Sequence, residues 1–64
     1  MTDYWQVARD VCTPKQLRIL ELRDKHNMSW RQIESAVGVR IPTLKAHYRA
    51  AAFKVRSTLK EAAA

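Results

Sequence analysis

Gly38 is the only glycine in this 64-residue chain, and Pro14 and Pro42 are its only prolines. So few backbone-bending residues leave few places for a sharp reversal and favour helix elsewhere. On both sides of the glycine the apolar residues keep helical spacing. Upstream, Ser29 with Gln32 three residues later has the form of a capping box, and Ile33 and Val37 fall one turn apart on one face. Downstream, Leu44 and Tyr48 restart the spacing, and Val39 is set to tuck under the turn. Two helices joined at Gly38, over about residues 29–48, have the layout of a helix-turn-helix.

The flanking segments extend the helical reading to the whole chain. Thr2 or Asp3 is placed to cap a first helix whose Tyr4, Val7, Ala8 and Val11 share a stripe, ending near Cys12. Thr13-Pro14 with Gln16 combines a second capping box with proline at a position where its missing N–H costs nothing. Leu17, Ile19, Leu20 and Leu22 give the helix that follows a broad apolar face, and His26-Asn27 suits its close. The last helix is expected from about Ile41 to Leu59 or beyond, with Glu61 to Ala64 fraying. At about 100° per residue, Leu44, Tyr48, Ala51, Val55, Leu59 and Ala62 form its inner stripe. No segment alternates long enough for a strand, so the expectation is one all-α domain, a small bundle of about four helices with a long C-terminal recognition helix.

Charge points to a partner. Twelve Lys and Arg against six Asp and Glu leave a net +6. Residues 1–39 hold six cations and five carboxylates, a net +1, whereas residues 40–64 hold six cations against Glu61 alone, a net +5. This distribution makes a polyanion the natural partner, and with the helix-turn-helix layout double-stranded DNA is the first one expected. One cysteine forms no internal disulfide, and neither a leader nor a bilayer-spanning apolar run is seen, so a cytoplasmic protein is expected, with no membrane partner. Cys12, His26 and His47 lack the paired spacings that zinc requires, and no nucleophile, base and orienting acid assemble from spacing. The reading is no enzyme, no metal and no cofactor.

These residues resemble the fourth conserved region of bacterial sigma factors and, more loosely, the LuxR-type DNA-binding domain. The resemblance covers about Cys12 to Val55. It rests on Thr13-Pro14 opening a helix that carries Leu22-Arg23, on Ser29-Trp30-Arg31-Gln32-Ile33, on the turn Val37-Gly38-Val39, and on Thr43-Leu44-Lys45-Ala46-His47. The uninterrupted last helix favours the sigma type. Two positions depart from the pattern. Glu34 stands where alanine usually packs beneath the recognition helix and is expected to loosen or tilt the pair, and Ile41-Pro42 replace residues that are usually polar at the groove. The resemblance also implies RNA polymerase as a partner, through its flap and the first helices.

Function follows as a small sequence-specific DNA-binding transcription regulator, by the resemblance of bacterial or phage type and so of a bacterial or phage-infected cell, with Arg31, Arg40, Thr43, Lys45, Ala46 and Arg49 as the DNA-binding set. Lys45 and Arg49 are the candidates for base edges, since both donate to guanine O6 and N7, and Arg31 is the candidate for phosphate. His47, Lys54 and Arg56 are secondary phosphate candidates. Trp30 is expected to close the side of the motif with Ile33. Phe53 lies among cations on the outward face and needs cover, from Trp5 of the first helix or from a protein interface such as a homodimer. The alternatives are an adaptor for RNA polymerase or another protein, and the DNA-recognition module of a phage packaging or recombination complex.

Overall fold

A computed structural model describes residues 3–63. Four helices in sequence, with no strand among the described residues, make a small all-α bundle. Helix α1 spans Tyr4–Val11, α2 spans Pro14–Leu20 and continues through a wider turn at Glu21–Lys25, α3 spans Trp30–Val37, and α4 spans Ile41–Ala63. Asp3 precedes α1 in extended backbone without a side-chain capping bond, and the other expected cap, Thr2, lies outside the described residues.

Both capping boxes form. Thr13 Oγ1 accepts from Gln16 N–H at 3.2 Å, and Gln16 Oε1 accepts from Thr13 N–H at 3.2 Å. Ser29 Oγ and Gln32 repeat the exchange at 3.2 and 2.9 Å, satisfying two N–H groups that the first turn of α3 would otherwise leave free. Gly38 closes α3 at φ +70°, with its N–H on Glu34 O at 2.8 Å. A Cβ added there would meet nothing within 4 Å, so the glycine answers to backbone conformation alone. Asn27 takes the other left-handed position, at φ 54°.

The wide turn at the end of α2 is not legible in the apolar spacing. His26 N–H reaches back five residues to Glu21 O at 3.0 Å, and Met28 N–H reaches Leu22 O at 3.0 Å. Arg23 Nη1 donates to Met28 O at 2.9 Å and ties the loop to the helix end.

Burial falls into two clusters strung along α4. Near its start, Leu44 packs with Ile19 and Ile33, flanked by Leu22, Met28, Trp30, Val37 and Val39. Further along, Ala51, Ala52 and Val55 pack with Val7, Ala8 and Leu20, under Trp5, Leu17 and Leu59. Adjacent Ile19 and Leu20 serve different clusters, and Tyr48 borders both. Trp30 and Tyr48 meet edge to face at 5.4 Å, with the Arg23 guanidinium 5.1 Å from the Trp30 ring centre, which bears out the structural reading of Trp30.

The structure corrects two expectations about the last helix. Ala62 is exposed rather than part of the inner stripe; the helix itself runs on through Glu61 to Ala63, and Ala64 lies outside the described residues. Trp5 does not cover Phe53. It packs in the second cluster, edge-on to Tyr4 at 5.2 Å with Lys25 Nζ 5.6 Å from its ring, whereas Phe53 is 72% exposed. Helix α1 lies over Ala52 and Val55, and by helical spacing Phe53 points the other way.

Ile33 and Leu44 are each 0% exposed, so Ile33→Ala or Leu44→Ala should remove about 2–5 kcal/mol. At roughly 0.1 kcal/mol of stability per residue, a domain this small should then be largely unfolded at 37 °C, as read by thermal denaturation. Gly38→Ala should cost about 1–2 kcal/mol through its backbone alone.

Candidate nucleic-acid interface

The joint between α3 and α4 sets the geometry of the candidate site. Glu34 Oε2 accepts from the N–H of Ile41, the first residue of α4, at 3.1 Å. A carboxylate thus caps α4 from the preceding helix, its charge lying at the positive end of the helix dipole. The loosening expected of Glu34 is overturned: the residue ties the two helices together. Pro42 has no N–H, so Thr43 is the position in the first turn of α4 whose backbone donor faces neither a cap nor a ring. Sequence spacing missed this contact because it links the second turn of one helix to the start of the next, across a reversal.

A second anchor holds α4 two turns after its start. Tyr48 Oη donates to the Asp24 carboxylate, 2.9 and 3.1 Å from its two oxygens. Asp24 belongs to the wide turn after α2, the feature absent from the helical reading, so this pair was also missed. Burial, the hydrogen bond to Asp24 and the Asp24 charge raise the Tyr48 pKa above its ordinary 10.0. Burial, then the Asp24 charge, raise Tyr4 as well.

With both ends of this stretch fixed, the outward residues are defined by helical spacing. Arg40, Thr43, Lys45, Ala46 and Arg49 are all exposed, as is Arg56 two turns beyond Arg49. Arg31 is exposed in the first turn of α3, where the capping box leaves the N–H groups of Trp30 and Arg31 without protein partners among the described residues. The ion pair among the described residues joins Lys25 to Glu21 at 3.9 Å, so no carboxylate neutralises the cations of α4.

Two of the secondary candidates sit elsewhere. Lys54 is half-buried, and its Nζ donates to Gln16 Oε1 at 3.0 Å, which directs it onto the start of α2 and away from the outward stripe. His47 is half-buried on the flank of α4. Cys12 donates to Ala51 O at 3.8 Å, and burial pushes its pKa up, which keeps it a thiol at neutral pH. Among the described residues no group of His, Cys, Asp and Glu is placed to hold a metal ion, and no helix is long and apolar enough to cross a membrane.

Removing the cap by Glu34→Ala should lower stability by about 0.5–2 kcal/mol in chemical denaturation, instead of tightening the joint as the alanine pattern would imply. Tyr48→Phe should cost about 0.5–1.5 kcal/mol. The folded state holds the Tyr4 and Tyr48 protons more tightly than the unfolded chain, so this stability is fully present below pH 10 and is lost as pH rises through the raised folded values. Tyr48→Phe should flatten that alkaline loss. No family model, curated protein or solved structure matches this chain.

Proposed function

We propose that the chain is a small sequence-specific DNA-binding transcription regulator of bacterial or phage type, which lays the start of α4 in the major groove. The observation that carries this reading is the exposed, unneutralised cationic stripe on the first turns of a helix held at a glycine-turned joint. In this reading Lys45 and Arg49 donate to base edges and Ala46 offers a methyl to thymine. Arg40 and Thr43 hold the backbone at the entry of α4. Arg31, with the free N–H groups of its helix start, holds a phosphate on the flanking strand. Arg56 is a further phosphate contact. The activity is binding, with no catalytic step.

A second reading, an adaptor docking on RNA polymerase as the sigma resemblance implies, draws on an open cleft of about 350 Å³. Ile19, Ala36, Val37 and Val39 line it, with Lys15 and Arg18 at its edge. Apolar walls beside cations suit a protein segment better than a duplex.

Duplex DNA titrated at several salt concentrations separates the two. For about four or five phosphate contacts, log affinity should fall against log salt with a slope of roughly −3 to −5. Lys45→Ala and Arg49→Ala should each remove about 1–3 kcal/mol of discrimination between a selected site and random DNA. Arg31→Ala should weaken both equally. Absence of binding to any duplex at low salt would reject the DNA reading in favour of the adaptor.

A further inference from the structure

Phe53 is the exposed large hydrophobic residue among those described, 72% accessible on a face where every other long side chain is a cation. Arg49 lies four residues before it, Arg56 three after and Lys60 seven after, all exposed and on the same side by helical spacing. A phenylalanine flanked by two arginines and a lysine brings together an aromatic and arginines, residue types enriched at protein interfaces relative to the rest of the surface. The three other helices pack on the opposite side of α4, so no described residue shields this face.

We propose that this face of α4 docks an acidic amphipathic helix of a partner protein, whose apolar stripe packs on Phe53 while its carboxylates pair with Arg49, Arg56 and Lys60. Charge selects this occupant. Apposing the same face of a second copy would stack arginine on arginine with no carboxylate between them, since Glu61 is the single acid of α4. A duplex has the right charge, but its phosphates offer the exposed ring no apolar stripe to pack on. An acidic helix meets both demands, with apolar residues at i, i+3, i+4 and i+7 for the ring and glutamates alongside for the cations. The inference does not require that the chain bind DNA.

The probe is a fluorescein-labelled synthetic helix of about 18 residues, with leucines at that spacing flanked by glutamates, titrated against the full chain by anisotropy. Saturable binding should appear, and Phe53→Ser and Arg56→Gln should each weaken it at least about tenfold. Replacing the peptide's glutamates with glutamine should weaken it too, whereas Phe53→Ser should leave the thermal midpoint and duplex binding unchanged. No saturable binding at millimolar peptide, or binding indifferent to Phe53→Ser, overturns the proposal. Loss of duplex affinity in Phe53→Ser would assign the face to DNA instead. Conversion of a sedimenting dimer to a folded monomer by the same change would assign it to a second copy.

Discussion

Burial of a single stripe of α4 is the constraint from which the other features follow. Leu44, Ala51 and Val55 are completely buried, and α1, α2 and α3 all reach the core by packing against that one side. No described residue covers the other side. The helix is about 34 Å long at 1.5 Å per residue, close to the 38 Å extent of the whole molecule, so its outward face is a continuous surface from end to end. Placing five of the molecule's six net charges in residues 40–64 makes that surface basic by necessity.

The two anchors on α4 divide the labour. Glu34 fixes where the helix begins, and Asp24 through Tyr48 fixes how it is rolled about its axis. Both are carboxylates placed on the inner side of a basic helix. They hold it without meeting its outward cations, so the positive stripe keeps its full charge for a partner. A joint built this way resists small rotations of α4 relative to α3, and such rotations would carry Lys45 and Arg49 away from any base edge they were set to meet.

Local signals carried much of the fold. The capping boxes at Thr13 and Ser29, the left-handed turns at Asn27 and Gly38, and the inner stripe of α4 through Leu59 are each decided within a few residues of sequence. What escaped is non-local. The wide turn at Glu21–Lys25 breaks the 3.6-residue period, and with it the position of Asp24 opposite Tyr48 becomes invisible. Glu34 reads as a misfit when judged by side-chain size beneath a helix, because its hydrogen bond depends on a reversal that spacing does not describe. Lys54 was assigned to the basic face by charge alone, yet Gln16 draws it to the opposite flank. Pairing Trp5 with Phe53 failed for the same reason: a helical wheel gives direction about one axis but not where a neighbouring helix crosses it.

Under the proposed function the chain meets duplex DNA with the first turns of α4 and the start of α3. Amide chemical-shift mapping of the labelled protein titrated with a duplex tests it residue by residue. The largest shifts are expected at Arg31 and over Arg40 to Arg49, with Tyr4 to Val11 unmoved. Shifts concentrated on α1, or no shifts at any ratio of duplex to protein at low salt, would contradict it.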